Sequence, residues 1–259
     1  MFPQILASDF DGVICDGLIE YYASTEKAYK KIWNQEQLTA NNDLANNFYR
    51  LRPVIETGWE MPVLLRALVL KYAPEKILTA WHDVRDEIVN REQLDKKYCT
   101  QTLDGERDNW IKNDLNDWLK LHRFYPGVLN KIRQVINSEI QFYIVTTKEG
   151  RFVKQLLQQQ GIELNETQII GKEFKRPKYE TLRIIRDNAT ESNAKIWFIE
   201  DRIQALKQVQ QQPDLKNVKL FLADWGYNTE PERNLAKSDR DIQLMSLSQF
   251  SQDFALWLQ

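Results

Sequence analysis

The chain places one strand candidate at its start, follows it with a long strand-free stretch, and only then alternates strands with helices. Residues 5–7 form a short apolar run that ends in Ser8-Asp9-Phe10-Asp11-Gly12, which reads as a buried strand followed by a sharp turn. From residue 18 to about residue 121, apolar residues recur at spacings of three and four. Tyr21, Ala28, Ile32 and Trp33 mark one such segment, and Val63, Leu64, Ala67, Leu68 and Tyr72 another. That spacing describes amphipathic helices packed on one another. Pro53, Gly58, Pro62 and Pro74 punctuate the run, which suggests roughly four to six helices.

The character changes at Tyr125-Pro126-Gly127-Val128. A helix face follows at Val128, Ile132, Val135 and Ile136, then a strand at 140–145, then a helix with Phe152, Val153, Leu156 and Leu157. Further strands read at 168–171, 195–199, 218–223 and near Ile242. Between them lie helices carrying Leu182, Ile184 and Ile185, and Ala205, Leu206 and Val209. A closing helix is expected to run to Leu258. Strands alternating with helices imply a parallel sheet with helices on both faces. The expected class is α/β: a Rossmann-like three-layer parallel-sheet core, residues 1–16 and 120–259, with an all-helical domain, residues 17–119, inserted.

At 259 residues and 42% hydrophobic content the chain can fill such a core and its insert. A formal net charge of -2, with both signs mixed, gives no support to nucleic acid as a partner. No apolar run is long enough to span a membrane and no secretory leader is evident, so a cytoplasmic protein is expected. Cys15 and Cys99 make no disulfide framework, and Cys15 reads as a buried small hydrophobe. His82 and His122, expected on helix surfaces, are too few for a zinc site of several histidines. Neither a phosphate-loop motif nor a dinucleotide fingerprint is present. Oligomeric state is not legible.

Asp9 and Asp11 end the first strand, and Gly12 and Gly17 should let the backbone bend beyond them. Two carboxylates this close can divide labour, one ionised as nucleophile and the other as acid and base. Thr146 follows the second strand, Lys175 and Lys178 lie in a basic loop before a later helix, and Glu200-Asp201 end the fourth strand. In an open parallel sheet ligands bind outside the carboxyl ends of the strands, so these distant groups should meet. Taken singly, each has a plainer reading. Thr146 fits a helix N-cap as well as a phosphate contact, and Glu200-Asp201 could cap the next helix.

With these residues the chain resembles the haloacid dehalogenase superfamily of phosphohydrolases. The pattern is D-x-D at Asp9-Phe10-Asp11, Thr146 after the second strand, Lys178 before a helix, and the acidic pair Glu200-Asp201. Tyr125-Pro126-Gly127-Val128, Ile144-Val145-Thr146-Thr147-Lys148 and Trp225-Gly226-Tyr227 further resemble the phosphoglycolate-phosphatase-like branch, while the helical stretch matches by position the cap such enzymes insert. The resemblance implies a Mg²⁺-dependent phosphatase acting on a small phosphorylated metabolite. Asp9 would form an aspartyl phosphate, Asp11 would serve as acid and base, and Thr146 and Lys178 would hold the phosphoryl oxygens. Asp9, the Asp11 carbonyl and Asp201, with Glu200 directly or through water, would bind the metal. Thr147 would be a further substrate contact, and Arg52, in an arginine-rich turn of the helical stretch, could pair with a substrate carboxylate or distal phosphate. Lys172, Lys175 and Arg176 rival Lys178, and Arg176-Pro177 departs from the K-P form of that branch. A phosphosugar mutase, or a catalytically idle relative that binds a partner, are the alternatives.

Overall fold

The computed structural model describes residues 2–35, 42–189 and 194–258. The chain divides into two compact units, Met1–Asp16 with Arg123–Gln259, and Gly17–His122. The first unit holds the strands β1 (Ile5–Ser8), β2 (Cys15–Asp16), β3 (Arg123–Phe124), β4 (Gln141–Val145), β5 (Ile169–Ile170), β6 (Ile196–Glu200), β7 (Lys219–Ala223) and β8 (Ile242–Met245). Six of them form one sheet in the order β5-β4-β1-β6-β7-β8, every neighbouring pair parallel. β1 lies at the middle, with Ser8 level with Ile144 of β4 and Ile199 of β6. The winding therefore reverses at β1, so the crevice outside the carboxyl ends opens where Asp9 stands.

β2 and β3 make a separate antiparallel ribbon, Cys15 opposite Phe124 and Asp16 opposite Arg123. The sequence did not suggest it, because two residues per strand leave no alternation to read.

The second unit contains, among the described residues, seven α-helices: α1 (Leu18–Ile32), α2 (Asn42–Leu51), α3 (Glu60–Val69), α4 (Pro74–Thr79), α5 (Trp81–Arg91), α6 (Lys96–Asn113) and α7 (Leu115–Leu119). That exceeds the expected number because two junctions carry no proline or glycine. Ala80 leaves helical geometry at φ −140° and splits α4 from α5. Asp114 does so at φ −151°, its carboxylate accepting from Asp117 N, and splits α6 from α7. Two buried acids tie these helices together. Glu20 accepts from Ser24 Oγ (2.6 Å), Arg107 Nε (2.7 Å) and Trp118 Nε1 (3.2 Å). Glu60 accepts from Arg85 Nη1 (2.9 Å), Trp81 Nε1 (3.3 Å) and the Glu56 amide (2.9 Å). His82 is exposed and pairs with Glu56, but His122 departs from expectation. It is buried beyond the end of α7, its ring 4.4 Å from that of Trp118 and its Nδ1 3.2 Å from Trp118 O, so packing buries a ring whose polarity is met by the backbone. Among the described residues no helix is long and apolar enough to cross a membrane.

Back in the sheet unit, the helices are α8 (Val128–Ile136), α9 (Gly150–Gln159), α10 (Lys178–Asp187), α11 (Ile203–Gln210), α12 (Glu230–Ser238) and α13 (Leu247–Phe250). Alternate strand residues serve opposite faces. Ile5, Ala7, Ile196, Phe198, Leu220 and Leu222 join Leu182 and Ile185 of α10 and Leu206 and Val209 of α11 in one core. Ile184, expected with them, is exposed. On the other face Trp197 and Phe221 pack 5.3 Å apart, and Trp257 lies 5.6 Å from each. The expected closing helix is broken in two, α13 and a 3-10 turn Phe254–Leu256. Ser246 and Asp253 each start a new turn, accepting from the amides of Gln249 and Ala255.

Trp197→Ala should lower the unfolding free energy by about 3–5 kcal/mol in a urea titration, the usual cost of emptying an aromatic site in a core. A loss below about 1 kcal/mol would show that the C-terminal turns are not part of that core.

Candidate active site

Asp9 follows directly on β1, and its amide still donates to Ile199 O as though the strand continued. Its Oδ1 accepts from the Phe10 amide at 2.7 Å, which turns the carboxylate across the strand end. The chain then reverses: Ile14 N and Cys15 N both donate to Phe10 O, and Gly12 takes φ +84°. A Cβ at Gly12 would lie 2.0 Å from Asp201 Oδ2, so only glycine fits. Gly17, also expected to bend the chain, instead sits at the N-cap of α1 with an ordinary φ of −102°.

Glu200 ends β6, and Asp201 follows it. Asp9, Glu200 and Asp201 are all buried, and each offers an oxygen such that the three lie within 4.8 Å of one another. Asp201 does not cap the next helix. Its Oδ2 accepts from the Tyr227 amide at 2.6 Å, and its carbonyl accepts from Asn228 Nδ2 at 3.0 Å. The same Asn228 amide reaches Ala223 O at 2.7 Å, while Trp225 Nε1 donates to Val13 O and the Tyr227 hydroxyl to Asp16 Oδ1. Trp225, Gly226 and Tyr227 thus bind the loop after β7 to the loop after β1. Gly226 permits the approach, since a Cβ there would lie 2.5 Å from Gly12 O. Trp225-Gly226-Tyr227 stood out in the sequence only as a family-like segment; that Tyr227 and Asn228 hold Asp201 was not read from it, and Asn228 carried no signal there.

Among the basic residues before α10, it is Lys178 that enters the cluster. As the first residue of the helix it places Nζ 2.8 Å from Asp9 Oδ2 and 2.5 Å from Glu200 Oε2. Lys172 and Lys175 lie in an exposed turn, and Arg176 precedes the Pro177 N-cap. Thr146 is buried just past β4. Its hydroxyl accepts from the Lys148 amide at 3.2 Å, and the N-cap of α9 is Glu149, so Thr146 does not cap that helix. Asp11 stands apart from the three buried acids and faces Lys148, whose Nζ is 3.3 and 3.4 Å from its carboxylate oxygens. Lys148 was not singled out from the sequence, although it closes the Thr146-Thr147-Lys148 run. Thr147 is exposed and has no hydrogen bond to the cluster among the described residues. Arg52 lies in the helical unit, where Nη1 donates to Ile55 O and the guanidinium lies 5.0 Å from the Tyr21 ring. Any contact of Thr147 or Arg52 with substrate rests on the sequence alone.

The electrostatics follow from burial. Burial pushes the Asp9 carboxyl up to about 7 despite the Lys178 ammonium beside it, and the Glu200 charge adds to the rise. Asp201 is pushed up to about 6 by burial and by the Asp9 charge, and Glu200 is raised by burial. Burial opposes the charge on Lys178, yet Asp9 and Glu200 hold its ammonium above the ordinary lysine range. With all three buried acids ionised, the cluster including the Lys178 ammonium would carry −2. A hard divalent cation with oxygen ligands balances that charge, so this donor set fits one.

The pH dependence has a definite sign. A carboxyl whose pKa is higher in the folded chain than its ordinary value stabilises the fold while protonated. For Asp9 and Asp201 that contribution is complete below about pH 4 and is lost as pH rises through about 6 to about 7. In the absence of divalent ions, thermal stability should therefore fall between about pH 5 and about pH 8. Asp9→Asn should be the more stable protein at the upper end, by on the order of 2–4 kcal/mol. A divalent cation should raise the melting temperature more at the high pH than at the low. Thermal melts across this range check all three, and a flat profile without metal would contradict the assignment.

No protein-family profile matches the sequence. No curated protein matches it either. Solved structures do. A predicted phosphoglycolate phosphatase from Haemophilus somnus 129PT superposes with a TM-score of 0.61 at 16% identity, over 96% of this chain and 95% of that one. A predicted phosphatase from Clostridium acetobutylicum gives 0.56 at 15% identity, over 97% of each chain. A haloacid dehalogenase-like family hydrolase from Streptococcus pneumoniae gives 0.56 at 12% identity, over 93% of this chain and 94% of that one. Such identities speak to architecture: the chain has the fold of the haloacid dehalogenase-like hydrolases.

Proposed function

We propose that the protein is a Mg²⁺-dependent phosphatase that hydrolyses a small phosphorylated metabolite through a phosphorylated Asp9. The observation that carries this reading is the cluster of Asp9, Glu200 and Asp201, with Lys178 Nζ against Asp9 and Glu200, at the carboxyl ends of adjacent parallel strands. Asp9 and Asp201, with the Asp11 carbonyl, would hold the metal. Glu200 is engaged on Oε2 by Lys178 and on Oε1 by the Arg202 amide, which suits it to complete the site through water. When bound, the metal supplies positive charge that lets an anionic phosphoryl group approach anionic Asp9.

The chain's own groups divide the remaining work. An Asp9 oxygen attacks phosphorus while the bond to the leaving oxygen breaks, and Asp11 gives that oxygen its proton. Asp11, now ionised, takes a proton from water as the water attacks the aspartyl phosphate, which frees phosphate and regenerates Asp9. Lys148, with Nζ 3.3 Å from Asp11 Oδ1, holds that carboxyl in place for both steps. Lys178 neutralises charge on the phosphoryl oxygens. Thr146, whose oxygen already accepts from the Lys148 amide, has its hydroxyl proton left to donate to one of them.

Release of phosphate from p-nitrophenyl phosphate with and without Mg²⁺ tests the reading. Chelation should abolish activity, Asp9→Asn should reduce it to background, and Asp11→Asn should cost about 10²–10⁴-fold. Full activity in Asp9→Asn would overturn the proposal.

A further inference from the structure

The side chain that braces the Asp201 backbone is itself held, and the hold comes from a cation that the steps above do not use. Glu200 and Leu222 are the last pair in the register of β6 with β7, so Asp201 and Ala223 stand one residue beyond it. The buried Asn228 side chain bridges them there, Nδ2 donating to Asp201 O at 3.0 Å and to Ala223 O at 2.7 Å. Both amide hydrogens are spent on carbonyls, which can only accept, and this fixes which way the amide faces. Its Oδ1 is left for a donor. Arg233 Nη1 supplies one at 3.1 Å, and the same nitrogen donates to the Asn228 backbone carbonyl at 3.0 Å.

Arg233 reaches Asn228 from a fixed turn. Thr229 and Glu232 form the capping box that starts α12, and the Arg233 amide donates to Thr229 O at 3.1 Å. Its guanidinium is permanently charged, so its hydrogen bonds are stronger than those of a neutral donor, and it grips Asn228 by two oxygens at once. Consecutive residues therefore hold Asp201 at two points, Tyr227 by the carboxylate and Asn228 by the carbonyl. Both groups hang on one Cα, so a tilt of the Asp201 peptide would swing its carboxylate away from Asp9.

Resting on the phosphatase reading for Asp201 as a metal ligand, we propose that Arg233, acting through Asn228, is a positioning residue that sets the affinity of the site for its divalent cation. Because its action is indirect, it should decide how much Mg²⁺ the protein needs and not how fast the loaded enzyme turns over.

The melting temperature of the full chain against Mg²⁺ concentration reads that affinity without catalysis. Arg233→Ala should move the onset of stabilisation to about 10–100-fold more Mg²⁺, the usual cost of losing an outer partner of a metal ligand. Arg183→Ala, which removes an equal charge paired with Asp214 in the same unit, should leave the titration unchanged. Hydrolysis of p-nitrophenyl phosphate by R233A should reach the wild-type kcat once Mg²⁺ is saturating. Should R233A fail to fold, Arg233→Gln keeps a neutral donor and should give a smaller shift of the same sign. An unchanged titration in the folded Arg233 variant, an equal shift in R183A, a kcat deficit that saturating Mg²⁺ does not remove, or no stabilisation of wild type by Mg²⁺ would each overturn the proposal. Stabilisation by Mg²⁺ without hydrolysis in wild type would overturn the phosphatase reading and leave the role of Arg233 in cation binding, whereas hydrolysis with an unchanged titration in R233A overturns that role alone.

Discussion

Three carboxyl groups buried within 4.8 Å of one another cannot all be ionised with one ammonium between them, and much of the sheet unit is arranged around that imbalance. Taking a charge out of water costs several kcal/mol unless it is paired. Lys178 offsets part of the cost for Asp9 and Glu200, and the backbone amides of Phe10, Arg202 and Tyr227 each donate to one acid. The remainder appears as raised carboxyl pKa values, which is free energy available to a ligand that brings positive charge.

The helical unit shows what the same chemistry looks like when it is closed. Glu20 and Glu60 are as buried as the site acids, but each has its own arginine and further donors from Ser24, Trp118, Trp81 or the backbone. Charge and hydrogen bonds are balanced there, so these acids lock helices together. In the sheet unit the balance is incomplete, with one ammonium facing three buried carboxyl groups. The distinction between structural and functional burial lies in that accounting, not in burial itself.

Sterics decide how close the acids can come. Asp201 is reached from two sides by backbone, at Gly12 and at Gly226, and a side chain at either would collide with it or with the opposite loop. Trp225 and Tyr227 then fasten the two loops by hydrogen bonds to Val13 O and Asp16. The acidic pair on β6 is thus held by the strands on either side of it, β1 and β7, which keeps its oxygens aimed at Asp9.

Hydrophobic periodicity determined the classes of element, and with them the α/β sheet and the strand-free helical stretch, because period and apolar content are local properties of the chain. Strand-end acids and Thr146 were legible for the same reason, each standing at a boundary between an apolar run and a turn, and Lys178 was legible as one of several basic residues before a helix. Features without a local signal were not. The two-residue ribbon, the helix breaks at Ala80 and Asp114 and the burial of His122 depend on partners far along the chain. So does the choice among Lys172, Lys175, Arg176 and Lys178, which are chemically similar and adjacent. Only the tertiary structure, by putting the start of α10 beside the ends of β1 and β6, decided that Lys178 meets Asp9 while Lys172 and Lys175 stay exposed.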